Sequence, residues 1–155
     1  MRLYLLRHAD ADTKAPTDDE RTLSEKGAAQ ALRVAEFCAA HALKPDAILA
    51  SPLPRAQQTA AAISGKFGMD FTTVRWLACG AVPATVLGHL AEMHQCAAVM
   101  LVGHEPDLSR FVAHLLGAGR GDAIHIRKAS LTAIEIQAFR AGGGWLDFSV
   151  PVKLM

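Results

Sequence analysis

The chain has 155 residues, of which 51% are hydrophobic and 20% are charged. This composition suits one globular core and excludes an intrinsically disordered protein. The formal net charge of +1 at pH 7 gives no electrostatic reason to expect a nucleic-acid or membrane partner. No apolar run approaches the ~20 residues of a membrane span, and charged residues interrupt the apolar start too early for a secretory signal peptide.

The cysteines indicate a reducing compartment. Cys38, Cys79 and Cys96 are odd in number and far apart in the sequence, which argues against a disulfide framework. We therefore expect a cytoplasmic protein. Because the sequence shows neither an internal repeat nor a linker, we expect one domain over residues 1–155.

The first strand ends on two side chains that suit phosphate chemistry. Residues 1–6 form an apolar run without a turn residue, which predicts a buried strand, and Arg7 and His8 follow directly. A guanidinium matches a phosphate with two parallel hydrogen bonds, and an imidazole can act as nucleophile, acid or base near neutral pH. Open α/β sheets bind ligands at the carboxyl ends of their strands. The alternative, open at this point, is that both side chains merely solvate a strand end.

Helices and strands alternate after this pair. Residues 22–25 fit a capping box, and small apolar residues at helical spacing predict a helix from there to about His41. Residues 47–50 predict a short buried strand. Ser51 and Pro52 then predict the N-cap and the first position of a second helix.

The alternation continues through the middle of the chain. Residues 71–76 predict a third strand, and Pro83 opens a third helix. Residues 97–102 predict a second strongly apolar strand, which leads into His104. A second histidine therefore follows a buried strand, as His8 does.

The last part of the chain predicts one more helix and a hairpin. Pro106 starts a helix that stops at Gly117. Residues 130–137 and 145–150 alternate around a glycine turn at 142–144. Strands separated by helices, followed by a hairpin, predict an α/β fold: a three-layer α/β/α sandwich with a mainly parallel central sheet and a C-terminal antiparallel hairpin.

The strand ends predict a common site. Because the carboxyl ends of parallel strands share one edge of a sheet, we expect Arg7, His8, Arg55 and His104 to converge there. The helix that starts near Ser51 adds free N–H groups and a positive dipole end, which favour an anion. Two arginines, two histidines and a helix N-terminus, without a metal-type ligand set, predict a phosphoryl pocket that takes inorganic phosphate or sulfate.

Four short motifs, in this order, resemble the histidine phosphatase (phosphoglycerate mutase-like) superfamily. They are Arg7-His8 before a small residue, Asp19-x-Arg21-x-Leu23-x-x-x-Gly27, Ser51-Pro-x-x-Arg55-Ala-x-x-Thr59, and Gly103-His104 after an apolar strand. The short length and the second motif are similar to the SixA-type phosphohistidine phosphatase branch. The resemblance spans residues 2 to about 117. It departs from the usual Arg-His-Gly at Ala9, which is small but disfavours a positive φ.

The resemblance implies a role for each matched residue. It implies that His8 is the nucleophile and becomes phosphorylated, and that Arg7, Arg55 and His104 bind the phosphate oxygens. Arg21 would add a further cationic contact from a loop. No cofactor and no metal are implied, because these cations take the place that Mg²⁺ has in other phosphoryl transfers.

The class of substrate that we expect depends on whether the chain has an acid that can protonate the leaving group. Larger members of the superfamily carry an acid after the third strand, whereas residues 77–82 contain none. An alkyl phosphate needs a donor for its leaving oxygen, but phosphohistidine can leave from a protonated nitrogen. The sequence therefore favours a metal-independent phosphohistidine phosphatase acting on a phosphoprotein. A small-molecule phosphomonoesterase and a non-catalytic phosphate-binding module are the alternatives. Glu105 is the remaining candidate donor, although a first-turn carboxylate of the fourth helix is the preferred interpretation.

Three further expectations concern residues outside the motifs. His89 and His94 do not share a helical face and no His-Glu-x-x-His motif is present, so we expect no zinc site. Lys128 precedes the fifth strand and could face the pocket, but an ordinary solvated lysine is the preferred interpretation. Trp76 and Trp145 are expected to pack rather than to bind bases.

Overall fold

The computed structural model describes residues 1–155, apart from the side chain of Asp122. A six-stranded sheet of order β3-β2-β4-β1-β5-β6 is built from β1 (Arg2–Arg7), β2 (Ala47–Ala50), β3 (Phe71–Thr73), β4 (Ala98–Gly103), β5 (Leu131–Ile136) and β6 (Gly144–Val150). The helices are α1 (Glu25–Ala40), α2 (Pro54–Phe67), α3 (Pro83–Glu92) and α4 (Asp107–Leu116). Short 3₁₀ turns lie at Arg75–Leu77, Gly121–Ala123 and Val152–Leu154. None of the helices in the described part of the chain has the length and apolar character to span a membrane.

The sheet has a helical layer on each face. Alternate residues of β1 serve the two faces: Tyr4 and Leu6 pack with α1 and α2, whereas Leu3 and Leu5 pack with α3 and α4. β1, β2, β3 and β4 are parallel, and β5 and β6 add an antiparallel hairpin beside β1. The predicted three-layer α/β/α sandwich with a mainly parallel sheet is therefore confirmed.

The register of three strands aligns the ends that carry the predicted site. Arg7 of β1 lies opposite Gly103 of β4, and the His8 amide donates to the Gly103 carbonyl at 3.0 Å. On the other side of β4, the Ser51 amide donates to the Val102 carbonyl at 3.0 Å. β1 and β4 are neighbours in the strand order, with β2 beyond β4 and β5 beyond β1. The connection from β1 to β2 and the connection from β4 to β5 therefore run in opposite directions across the sheet. The site thus lies where the strand order reverses, as ligand sites of doubly wound sheets do.

Two predicted helix starts are displaced by two residues. Ser24, not Thr22, is the N-cap of α1, and its hydroxyl accepts from the Gly27 amide at 3.1 Å. The N-cap of α2 is Leu53, with Pro54 first in the helix, so the expectation that Ser51 caps this helix was wrong. The physical reason is that the Ser51 hydroxyl forms a hydrogen bond with His104 Nε2, at 2.6 Å, instead of capping the helix.

Strand β3 and one tryptophan also differ from expectation. β3 ends at Thr73, and the backbone then forms the 3₁₀ turn at Arg75–Leu77 rather than a longer strand. Trp76 does pack, with its ring stacked on His89 at 4.8 Å. Trp145 does not, since 69% of it is exposed. It lies on β6, the edge strand, where no described element covers it.

Gly27 allows the first turn of α1 to approach the segment that follows His8. A Cβ at position 27 would lie 1.8 Å from the Asp10 carbonyl oxygen, which accepts the Ser24 amide at 3.0 Å. We predict that Gly27→Ala lowers the free energy of unfolding by ~2 kcal/mol or more, because backbone must move to admit the methyl group. Urea unfolding measures the change.

Gly65→Ala is the matched control for that substitution. Gly65 also lies inside a helix, but nothing lies within 4 Å of a Cβ built there. This variant should gain ~0.5–1 kcal/mol from helix propensity. Equal effects of the two substitutions would contradict the proposed close approach at Gly27.

Candidate active site

His8 is positioned with one ring nitrogen occupied and the other free. The side chain is 7% exposed, and Nδ1 lies 2.8 Å from the Ala9 carbonyl oxygen. A carbonyl only accepts, so Nδ1 carries the proton and Nε2 keeps its lone pair. Burial lowers the pKa of His8 to about 4, with the positive charges of Arg55 and Arg7 acting in the same direction and the Ala9 hydrogen bond opposing them. The imidazole is therefore neutral at pH 7.

Ala9 fits the position where the motif that the sequence resembles has glycine. It is fully buried, and its amide donates to Thr59 Oγ1 at 3.1 Å. Among the described non-glycine residues only Ala42 and Ala129 have positive φ, so the backbone at Ala9 does not require a glycine. Thr59 Oγ1 in turn donates to the Arg55 carbonyl at 2.7 Å. Thr59 therefore ties the end of β1 to the first turn of α2.

His104 stands beside His8 at the end of β4. The two ring centroids are 5.1 Å apart, and His104 Nε2 lies 2.6 Å from the Ser51 hydroxyl. Burial, followed by the neighbouring His8 and Arg55, lowers the pKa of His104 to about 3. His104 is thus neutral in this state, and the negative charge of a bound phosphate would favour its protonation.

Arg7 and Arg55 are the other two residues of the predicted site, and each donates a hydrogen bond to a backbone carbonyl. Arg7 Nη1 donates to the Ile126 carbonyl at 2.8 Å. Arg55, 4% exposed, donates from Nη1 to the Asp18 carbonyl at 2.6 Å and from Nη2 to the Asp18 carboxylate at 3.0 Å. The Nε atoms of both arginines and Nδ1 of His104 are buried and find no hydrogen-bond partner among the described residues. We call Arg7, His8, Arg55 and His104 the phosphoryl pocket.

The structure gives Arg21 a different place from the one expected. Its Nε donates to the Asp12 carbonyl at 2.7 Å and its Nη2 to the Ala11 carbonyl at 3.1 Å. Its Nη1 bonds to the Asp18 carboxylate at 2.9 Å. All three nitrogens are therefore used within its own loop. Arg21 is connected to the pocket through Asp18, whose carboxylate bonds to both Arg21 and Arg55.

Glu105 lies one residue before Pro106, the N-cap of α4, and not in the first turn as the sequence suggested, but its carboxylate bonds to that turn. Its Oε1 accepts from the Ser109 hydroxyl at 2.7 Å and from the Ile126 amide at 3.1 Å, and its Oε2 accepts from the Ser109 amide at 3.4 Å. The carboxylate thus joins the first turn of α4 to the 126 segment. Arg7 holds the carbonyl of the same Ile126, so both side chains brace one backbone position.

Lys128 lies at the site, and the expectation of an ordinary solvated lysine was wrong. Its Nζ is 2.7 Å from Asp10 Oδ1, and Asp10 Oδ2 accepts from the Ser24 hydroxyl at 2.8 Å. The Lys128 charge also contributes to lowering the pKa of His8. A sequence signal existed, because a lysine just before β5 lies beside the end of β1 once those strands pair.

Sequence reasoning also missed two aspartates. Asp18, in the loop before α1, engages Arg55 as described. Asp107, 6% exposed, accepts the Gly80 and Ala81 amides at 2.7 and 3.2 Å and so anchors the loop that precedes α3. Neither role has a local sequence pattern. Across the described residues, no group of three or more His, Cys, Asp and Glu side chains is arranged to hold a metal ion.

The comparison with protein families agrees with this architecture. Residues 3–78 match the model of the histidine phosphatase superfamily (branch 1). An uncharacterised protein of Picosynechococcus sp. is 30% identical over 145 residues, which are 90% of this chain and 88% of that protein. The chain belongs to the histidine phosphatase superfamily, which implies a phosphatase with a histidine nucleophile.

Solved structures share the fold over nearly the whole chain. The protein histidine phosphatase SixA, complexed with tungstate, gives a TM-score of 0.90 at 19% identity and covers 99% of both chains. A protein of Agrobacterium tumefaciens assigned as the phosphohistidine phosphatase SixA gives 0.83 at 29% identity over 97% of both chains. An alpha-ribazole phosphatase of Shigella flexneri gives 0.82 at 17% identity, covering 98% of this chain and 97% of its own. The chain resembles the SixA-type branch, and the fold also occurs in an enzyme named for another substrate.

The two buried imidazoles predict how stability depends on pH. The pKa values of His8 and His104 are about 4 and about 3 in the folded protein, against an ordinary value of 6.5. Below pH 6.5 the unfolded chain therefore binds more protons, and the free energy of unfolding falls as pH falls. Each imidazole contributes a slope of roughly 1 kcal/mol per pH unit between about pH 5 and 6.

Chemical denaturation at a series of pH values measures this slope. His8→Asn removes one of the two groups, so we predict that its slope in this interval is about half that of the wild type. An unchanged slope in the variant would show that His8 titrates normally and is not buried as a neutral imidazole.

Proposed function

We propose that this protein is a phosphohistidine phosphatase that acts on phosphoproteins, with His8 as its nucleophile. The observation that carries the proposal is the state of His8. It is a neutral imidazole with Nε2 free, placed beside the buried Arg55, the half-buried Arg7 and a second histidine. A neutral ring nitrogen can attack phosphorus, and the surrounding cations stabilise the charge that spreads over the phosphoryl oxygens.

The reaction proceeds in two displacements. His8 Nε2 attacks the phosphorus of the substrate phosphohistidine, so a new N–P bond forms while the substrate's own P–N bond breaks. The phosphorylated ring of the substrate carries a proton on its other nitrogen, so its imidazole leaves as a neutral group. Water then attacks the phosphoryl group on His8, releases inorganic phosphate and returns the imidazole. In-line displacement of this kind requires positioning and charge stabilisation above all.

The unpaired buried atoms support a phosphoryl group in this pocket. Arg7 Nε, Arg55 Nε and His104 Nδ1 are buried polar atoms without described partners. Such atoms are costly unless a hydrogen-bond partner meets them. Phosphate oxygens would supply acceptors to both arginines, and a protonated His104 could donate as well. The negative charge of the phosphate would also raise the pKa of His104 from its low value.

Among the side chains that the structure describes, no free acid lies at the pocket, which favours a phosphoramidate over an alkyl ester. The loop from 77 to 82, which Asp107 holds and whose Cys79 sulfur lies 3.9 Å from Arg55 Nη2, contains no carboxylic acid. The Glu105 carboxylate is already occupied by hydrogen bonds. The hydrogen bond from Arg21, with the charge of Arg55, lowers the pKa of Asp18, so that carboxyl is ionised and cannot donate a proton at pH 7.

A small-molecule phosphomonoesterase is the second candidate, and one observation favours it. A cavity of about 350 Å³ opens beside Arg7, between the start of α4 and the 121–125 segment, and Glu105 and His125 are among the residues that line it. That volume could receive the organic part of a small phosphate ester. Leaving-group dependence separates this candidate from the first.

The nucleophile is tested by His8→Asn. We predict that this variant loses turnover of both phosphohistidine and p-nitrophenyl phosphate by three orders of magnitude or more, roughly as expected when a covalent route is removed. His94→Asn, in an exposed loop, is the control and should keep the wild-type rate. A phosphate-release assay gives both numbers. If His8→Asn retains more than about a tenth of the rate, His8 is not the nucleophile.

Leaving-group preference tests the substrate class. We predict that phosphohistidine and aryl phosphates are hydrolysed, and that alkyl phosphates such as glycerol phosphate are slower by the ~10²–10⁴-fold that general acid catalysis usually contributes. Glu105→Gln should leave this ratio unchanged. Fast alkyl-ester hydrolysis that collapses in Glu105→Gln would instead establish Glu105 as the donor and the protein as a general phosphomonoesterase. Treatment with EDTA should not alter any of these rates.

A further inference from the structure

A groove of about 490 Å³ leads away from the phosphoryl pocket and is strongly basic. Arg7 lies where the groove meets the pocket. The rest of its wall comes from Asp10 after β1, the first turns of α1, the segment before β5 and the segment after β6. The lysines and arginines in it besides Arg7 are Lys26, Arg127, Lys128 and Lys153. Asp10 is the one acid among its described lining residues, and Lys128 already pairs with it at 2.7 Å.

The positive charge of the groove is a local feature. The whole chain carries a formal net charge of only +1, so the clustering does not reflect a generally basic protein. Lys26, Arg127 and Lys153 are exposed, and no ion pair joins any of them to an acid whose side chain the structure describes. None of the three belongs to the phosphoryl pocket. Their charges are therefore available to a partner.

The basic surface continues along α1 beyond this groove. A shallower depression lined by Lys26, Arg33 and Lys153 adjoins it. Arg33 donates to the Met155 carbonyl, which holds the segment after β6 against the helix. Lys26 and Arg33 are seven positions apart on α1, a distance of about 10 Å along the helix axis. An extended peptide covers that distance with about three residues.

We propose that this basic groove binds an acidic stretch of the polypeptide that carries the phosphohistidine. The proposal rests on the phosphohistidine phosphatase activity proposed above. It adds that the enzyme prefers phosphoproteins with acidic residues near the phosphohistidine. While the phosphorylated imidazole enters the pocket beside Arg7, carboxylates of the same protein lie along Lys26, Arg127 and Lys153. Complementary charge of this kind raises the rate of encounter and selects partners, and salt screens it.

The selection acts on binding and not on the chemical step. Lys26 and Lys153 are exposed, and neither is among the charges that shift the pKa of His8 or His104, so their effect belongs in KM and in the salt dependence of kcat/KM. Small substrates such as p-nitrophenyl phosphate fill the pocket alone and should not depend on them. This difference separates a docking surface from catalytic residues.

The experiment compares three phosphohistidine peptides that differ only in the residues flanking the histidine: Asp and Glu, Ser and Gly, or Lys. At low ionic strength, kcat/KM should be highest for the acidic peptide and lowest for the basic one, and 0.5 M salt should compress the differences, because the Debye length is then only about 4 Å. The double variant Lys26→Glu/Lys153→Glu should lower kcat/KM for the acidic peptide at least about tenfold while p-nitrophenyl phosphate turnover stays unchanged.

Lys44→Glu/Lys66→Glu is the matched control, because it makes the same change in net charge. Lys44 precedes β2 and Lys66 ends α2, so both exposed lysines lie at the opposite edge of the sheet. This variant should keep the peptide preference. An equal loss in both double variants would assign the preference to net charge and overturn the groove.

The remaining outcomes are distinct from one another. Hydrolysis of all three peptides with the same kcat/KM would overturn the groove while leaving the phosphohistidine phosphatase activity in place. Hydrolysis of p-nitrophenyl phosphate but of none of the peptides would overturn the proposed function, and the groove proposal with it.

Discussion

The pairing of β1 with β4 is the constraint on which the rest of the site depends. The two strands run parallel with Arg7 opposite Gly103, and the His8 amide closes the last rung on the Gly103 carbonyl at 3.0 Å. That register brings the rings of His8 and His104 to 5.1 Å. A register shift by one residue would turn every side chain of β1 to the other face. The buried alternation of β1 against two helical layers thus fixes the core and the site together.

The same burial that fixes the site sets its charge state. Removing imidazoles from water beside two arginines lowers the pKa of both histidines, so the pocket carries its positive charge on Arg7 and Arg55 and keeps His8 neutral. The pKa values of Asp10 and Asp18 are lowered chiefly by hydrogen bonds from Lys128 and Arg21 respectively. The free energy of unfolding therefore falls as pH falls, because the unfolded chain binds protons that the two buried histidines do not bind in the folded protein. Function and acid sensitivity therefore have one physical origin.

The sequence predicted most of the fold and the four pocket residues, because their signals are local. An apolar run that ends on Arg7 and His8 is visible without knowledge of any partner, and so is the run before His104. The roles that were missed depend on contacts between distant segments. The sequence predicted that Ser51 caps a helix, whereas its hydroxyl bonds to His104. It also predicted that Lys128 is solvated, whereas its Nζ bonds to Asp10, 118 positions earlier. Propensity rules contain no information about such pairs.

The central claim is that phosphoryl transfer passes through Nε2 of His8, since Nδ1 is held by the Ala9 carbonyl at 2.8 Å. The most direct measurement mixes enzyme with excess phosphohistidine peptide, quenches with alkali on the millisecond scale, and locates the phosphoryl group by intact mass, peptide mapping and NMR of the phosphorylated ring. The account predicts one phosphoryl group per chain, bonded to Nε2 of His8. A phosphoryl group on His104 or on any other residue, or attachment to Nδ1 of His8, would contradict it.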